Sequence, residues 1–272
     1  MPYAMSLYKH NVSWKHLIKA IDMNNKDEEL LYAFIKNNTE NENKLYTPIQ
    51  ELEHFENIPE LIKKFNYRFL SIKPRGTNLL KSEKGLVYIE SYEKDTMEII
   101  SLLNSYSEND SGDLRSVMDI YMGIEFDDEI SKDKKEILDK IFKTSPVAFI
   151  YGPAGTGKTK MIEIISKAFR NYNKYFIANT NTAVTNMKSR VGNIEKSTFL
   201  TISNFIRNSV VECDILFIDE CSMVSNIDMI KILRKQKYKA IILVGDIYQI
   251  ESIKYGNWFL FCNRYFKDDI VY

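Results

Sequence analysis

The sequence predicts an α/β chain: a parallel sheet with helices on both faces over residues 126–272, preceded over residues 1–125 by a small α+β domain. Three observations carry this. Beyond residue 146, short and nearly all-apolar segments alternate with helical stretches, the pattern of strands covered on both faces by crossover helices. A Gly-rich stretch, GPAGTGKT (152–159), stands between one such strand and the next helix, where parallel sheets place anion-binding loops. The acidic run EFDDE (125–129) separates these segments from an N-terminal region without that alternation.

In the N-terminal region, stretches near 13–23 and 27–37 have helical spacing. YRFLSIK (67–73) and GLVYIES (85–91) have the alternation and the β-branched or aromatic content of strands, with the turn-like PRGTN between them. A helix follows near 94–105, and the polar SENDSGD (107–113) reads as a loop. In the second region Ser131 is a good N-cap for an opening helix. Then come strand PVAFIY (146–151), a helix over about 158–170, strand KYFIA (174–178) and a helix from about 182. Strands STFLT (197–201) and CDILFI (213–218), a helix near 226–235 and strand KAIILV (239–244) complete the order.

With 272 residues the chain can bury the cores of two ordinary domains. Hydrophobic residues at 44% and charged residues at 27% put it in the ordinary globular class. No apolar run approaches the roughly 18 residues that cross a bilayer, and the N-terminus lacks an apolar signal core. The expectation is therefore a cytoplasmic protein with no membrane partner. Cys213, Cys221 and Cys262 have no metal-ligand spacing, and His10, His16 and His54 have no carboxylate or Cys pattern around them, which argues against a Cys/His metal site. Net charge is zero overall but −5 over residues 1–125 and +5 over 126–272, so the second region is the one suited to a polyanion.

GPAGTGKT is a full G-x-x-x-x-G-K-[ST] match. Its backbone, from Gly152 through Pro153, Ala154, Gly155 and Thr156 to Gly157, can curl so that N–H groups face phosphate oxygens. Lys158 then reaches the β- and γ-phosphates, and the Thr159 hydroxyl can ligate Mg²⁺. About sixty residues on, CDILFIDECSMV (213–224) sets Asp219 and Glu220 at the end of an apolar strand. Strand ends of a parallel sheet share an edge, so Asp219 is placed to hold Mg²⁺ and Glu220 to accept a proton from attacking water. Together the motifs predict nucleoside triphosphate binding and hydrolysis.

Here the sequence resembles a superfamily 1 helicase, closest in its motifs to the RecD-like, 5′-to-3′ branch. GPAGTGKT is similar to its motif I and DECSMV to its motif II. ANTNTAVTNM (178–187) resembles motif Ia, matching at Thr180, Asn181, Ala183, Val184 and Asn186, with Met187 in place of Leu. FLTISNFI (199–206) resembles the following T-I-H-x-F segment at Thr201, Ile202 and Phe205, with Ser203 replacing His; Phe205 suits either a core position or a base-stacking one. VGDIYQI (244–250) resembles motif III, V-G-D-x-x-Q-L. AAA+ ATPases more often place a single Asn or Thr on that strand.

The resemblance covers roughly residues 130–262 and implies a first RecA-like lobe that binds ATP and Mg²⁺ and is a helicase or nucleoside triphosphatase. Gln249 would be a catalytic residue that senses the γ-phosphate or the attacking water, and Asp246 would hold its loop. Thr180, Asn181 and Thr201 would lie along single-stranded nucleic acid, DNA ahead of RNA. Two departures matter. The adenine-reading Gln that often precedes the P-loop is absent from the Ser131–Lys134 region, which leaves ATP over GTP unsupported. The family's second RecA-like lobe would begin about where this sequence stops, so the expectation is weak or no turnover without that lobe, in a longer chain or a partner. The alternative is a nucleotide-gated interaction protein whose ATPase a partner chain completes. A P-loop ATPase of another class that converged on GDxxQ stands third.

Overall fold

The computed structural model describes residues 26–74, 76–124, 132–153, 155–209, 212–246, 258–266 and 270–271. The helix expected at 13–23, the linker expected at 125–129 and Ser131 lie outside the described residues. The chain divides into two compact units, Met1–Lys94 and Asp95–Tyr272.

The first unit contains α1 (Asp27–Asn41), β1 (Thr47–Pro48), a 3-10 turn (Ile49–Leu52), α2 (Ile58–Ile72), β2 (Leu80–Glu83) and β3 (Leu86–Ile89). Its antiparallel sheet runs β1-β3-β2. Leu31 and Ile35 of α1 and Ile58, Ile62 and Phe65 of α2 pack with Leu80, Val87 and Ile89 of the sheet. The strand expected at 67–73 is instead the C-terminal half of α2. The stripe Ile58, Ile62, Phe65 has helical spacing and Pro59 stands in the first turn, so the helix is set before the alternating tail begins. On that helix Tyr67 and Ile72 point to solvent, 81% and 71% exposed. The true partner of β3 is LKSE (80–83), too polar to read as a strand. Lys84 and Gly85 both take left-handed φ, +50° and +77°, and close a two-residue hairpin of the primed type. Asn66 pins its start by donating to the Leu80 carbonyl (2.8 Å) and accepting from the Leu80 N–H (2.9 Å).

The second unit is built on a six-stranded sheet of order β6-β5-β7-β8-β4-β9, parallel at every pairing. Its strands are β4 (Val147–Tyr151), β5 (Lys174–Ala178), β6 (Ser197–Thr201), β7 (Ile215–Ile218), β8 (Ala240–Gly245) and the short β9 (Ile270–Val271). Parallel crossovers are right-handed, so the direction of each step across the sheet decides which face its helix covers. Steps from β4 to β5 and on to β6 run one way and carry α6 (Lys158–Ala168) and α7 (Asn181–Val191). The return steps carry α8 (Ile202–Arg207), α9 (Asn226–Lys235) and α10 (Trp258–Tyr265). The two cores agree: Ala148, Ile150, Phe217 and Ile242 pack with α6 and α7, whereas Val147, Phe149, Leu216 and Ile241 pack with α8, α9 and α10.

The first residues of this unit move the boundary expected at 125/126. From Asp95 onward, α3 (Glu90–Ser107) lays Ile99, Ile100 and Leu103 on the α9 face, and α4 (Gly112–Ile124) lays Leu114 and Met118 on the α6 face. Thr96 accepts a buried hydrogen bond from Asn226 (2.9 Å), and the Tyr106 hydroxyl donates to the Gln236 carbonyl (2.8 Å). Burying these apolar stripes leaves residues 95–124 no separate core, so they belong to the parallel sheet's unit. The loop expected at 107–113 ends earlier, because α4 starts at Gly112. Among the described residues no helix is long and apolar enough to cross a membrane.

Lys174, first residue of β5, is fully buried, and its ammonium donates to the carbonyls of Phe169, Tyr172 and Glu195, each at 2.9 Å. It closes the exposed carbonyl end of α6 and ties it to the turn before β6. Lys174→Met keeps the apolar stem and removes the donors, leaving several buried acceptors unmatched. The urea unfolding midpoint should fall by the equivalent of about 3 kcal/mol. An unchanged midpoint would mean that solvent reaches these carbonyls.

Candidate nucleotide site

Registers along the sheet bring the candidate residues to one edge. Tyr151 lies opposite Gly245, and Leu243 opposite Ile218, so Gly152, Asp246 and Asp219 leave β4, β8 and β7 side by side. β8 stands between the P-loop strand and the strand of Asp219. Gly245 has no room for a side chain: a Cβ there would lie 2.7 Å from the Phe259 ring and 3.2 Å from the Cys221 nitrogen. Its carbonyl accepts from the Gly152 N–H (3.2 Å), which joins the first residue of the P-loop to β8.

Within the loop Gly155 and Gly157 take φ of +85° and +89°, a region glycine enters without strain, and Gly157 caps α6. The Thr156 hydroxyl donates to the Pro153 carbonyl (2.9 Å). Lys158 folds its ammonium back on the loop, donating to the carbonyls of Gly152 (2.5 Å) and Pro153 (2.8 Å). Ala154 lies outside the described residues.

Beside it Glu220 has a left-handed backbone, φ +56°, uncommon for a residue with a side chain. Its N–H turns back to donate to Asp219 Oδ1 (2.9 Å). The turn is fixed from below, where buried Cys221 donates to the Ile218 carbonyl (3.2 Å) and Trp258 donates to the Val224 carbonyl (2.8 Å). Burial pushes the Asp219 carboxyl above the usual range, against the pull of the Glu220 N–H and of the positive Lys158 and Arg190. Burial, and then the negative Asp219, push Glu220 up as well.

P-loop residues Gly155, Gly157, Lys158 and Thr159 and the acids Asp219, Glu220 and Asp246 line one cavity of about 380 Å³. A hydroxyl and carboxylates are hard oxygen donors that suit Mg²⁺, and the desolvated Asp219 favours a cation. Among the described residues no group of three or more His, Cys, Asp or Glu forms a metal cage. A magnesium that takes only one or two protein ligands and completes its shell with phosphates and water needs none. Thr159 and Asp219 are the fitting pair.

The candidates for nucleic acid lie farther along the same edge, where Ala178 of β5 pairs with Thr201 of β6. Thr180 caps α7 by accepting from the Ala183 N–H (3.1 Å), and Thr201 caps α8 by accepting from the Asn204 N–H (3.3 Å). Asn181 is exposed in the first turn of α7. Phe205 is fully buried with its ring edge-on to Tyr175, which makes it core rather than a stacking surface. Gln249 lies outside the described residues.

Sequence reasoning missed Arg190, which lines the cavity together with Asn186. The signal was present: Ala183, Met187 and Val191 form the buried stripe of α7, and Asn186 and Arg190, four apart, flank it on one edge. Arg190 lies three residues past the end of the stretch that resembles motif Ia.

Comparison with known proteins agrees with the fold. A family model described as an AAA domain matches residues 129–264, half of the chain. A search of curated proteins finds no match. The matched span holds the P-loop, Asp219–Glu220 and Gly245–Asp246, the strand ends that border the cavity. The chain belongs to this AAA-domain family, and its second unit is a P-loop NTPase domain of α/β fold.

Proposed function

We propose that the second unit is the ATP-binding and ATP-hydrolysing motor lobe of a superfamily 1 DNA helicase or translocase, and that a second RecA-like lobe completes it. The observation that supports this most is the alignment of two sites on one sheet edge. The cavity of Lys158, Thr159, Asp219 and Glu220 sits at the ends of β4, β7 and β8, and Thr180 and Thr201 stand at the ends of β5 and β6. The AAA-domain family is one found in superfamily 1 helicases.

In this reading the P-loop N–H groups and Lys158 bind the phosphates, and Thr159 and Asp219 would hold Mg²⁺, which would supply positive charge to offset that of the phosphates. Glu220, whose carboxyl is made more basic by burial and by the negative Asp219, orients the attacking water and takes its proton. Exposed amides and hydroxyls at the start of α7 bond nucleic-acid phosphates without reading bases. A second lobe supplies the cationic groups that stabilise the transition state, worth about 10³–10⁵ in related systems.

The test is ATP turnover by the purified chain with and without single-stranded DNA, over a range of salt. Turnover by this lobe without its completing partner is expected to be low but measurable; it should still rise with the strand, and the rise should fade as salt increases, since phosphate contacts release counterions. Turnover indifferent to DNA and to RNA would overturn the motor reading and favour a nucleotide-gated interaction protein.

A further inference from the structure

We propose that Arg190 is a built-in stand-in for the metal: its guanidinium rests on the Thr159 hydroxyl, and an entering metal–triphosphate displaces it onto the terminal phosphate. This rests on reading the cavity as the triphosphate site. Arg190 Nη1 donates to Thr159 Oγ1 at 3.4 Å, so the guanidinium rests on the hydroxyl that fits a magnesium ligand. It lines the same cavity as Asp219, the other fitting ligand, which feels its positive charge. Among the described residues no carboxylate lies within ion-pair distance of Arg190. The hydroxyl inside the cavity is thus its partner, although water surrounds the helix it stands on.

The second cation of the cavity is engaged elsewhere, since Lys158 donates to the carbonyls of Gly152 and Pro153. Arg190 is the cation that bonds the Thr159 hydroxyl, and its charge acts on Asp219 behind that of Lys158. A guanidinium and Mg²⁺ repel and compete for the Thr159 oxygen, so both cannot hold that hydroxyl together. A metal arriving alone must remove the guanidinium with nothing to offer it. A metal arriving on a triphosphate brings new acceptors within reach of a side chain that itself lines the cavity, near the end of α7. The planar fork then meets phosphate oxygens in its preferred bidentate geometry. Two consequences follow: the empty lobe discriminates against free divalent metal, and the loaded lobe prefers triphosphate to diphosphate.

The experiment uses the full chain, with Arg190→Ala and Arg190→Lys compared to the wild type after circular dichroism shows equal folding. Free Mn²⁺ is titrated without nucleotide and read by electron paramagnetic resonance, and Mg·ATP and Mg·ADP affinities are measured by calorimetry. Arg190→Ala should bind Mn²⁺ about tenfold or more tightly than wild type and lose about tenfold to a hundredfold of its preference for ATP over ADP, the scale of one charge-assisted hydrogen bond. Arg190→Lys should still exclude Mn²⁺ but recover only part of the preference, because an ammonium keeps the charge and loses the fork. Either quantity unchanged in Arg190→Ala overturns the proposal. Failure of the wild type to bind Mg·ATP would instead overturn the nucleotide-site reading beneath it.

Discussion

Lys158→Ala is expected to weaken Mg·ATP binding at least about a hundredfold, with urea unfolding changed by no more than about 0.5 kcal/mol. The ammonium is the P-loop cation that faces a cavity bordered by three carboxylates, Asp219, Glu220 and Asp246. Phosphates entering without it would meet a wall of like charge, at distances where the loop's N–H dipoles alone give little return. Stability should barely move, because Lys158 bonds carbonyls of Gly152 and Pro153 on a loop that water reaches. Calorimetric titration with Mg·ATP decides this. Unchanged affinity would mean that the nucleotide, if bound at all, does not place its phosphates in this loop.

The parts of the fold that were legible in the sequence are those fixed locally. A strand buried on both faces must be apolar throughout, so VAFIY, KYFIA, ILFI and AIILV announce themselves, and GPAGTGKT marks its own turn through glycines that must take positive φ. What was illegible depends on partners distant in sequence. That β8 separates β4 from β7 follows from crossover topology, which no single strand records. YRFLSIK alternates like a strand but continues a helix whose buried stripe lies upstream, and LKSE is a strand because a Lys-Gly turn folds it onto β3. Residues 95–124 look detached from the sheet until Ile99, Leu103, Leu114 and Met118 are seen against its two faces. The site divides the same way. Lys158, Asp219 and Glu220 sit in contiguous motifs, whereas Arg190 belongs to the cavity only because α7 packs beside α6.

Glu220→Gln is expected to leave Mg·ATP binding within a few-fold of wild type and lower turnover by about 10²–10⁴, the range for losing a positioned base. Gln keeps the shape of Glu and can still bond water, but it cannot take a proton. The same substitution should also stabilise the empty protein near neutral pH, and the sign follows from the direction of the shift. Burial and the neighbouring Asp219 raise the folded pKa of Glu220 above its ordinary 4.5, so the folded state carries a penalty once the carboxyl ionises. Below the unfolded pKa both states are protonated and the penalty is absent; it grows as pH rises through the interval up to the folded value and stays constant above it. Thermal unfolding of the variant should therefore gain on wild type as pH rises from 4 to 7, with the left-handed turn at residue 220 common to both proteins. The two readouts are independent: loss of turnover without the pH-dependent gain would place Glu220 in the reaction but in a wetter setting than this fold gives it, and the gain without loss of turnover would remove Glu220 as the base.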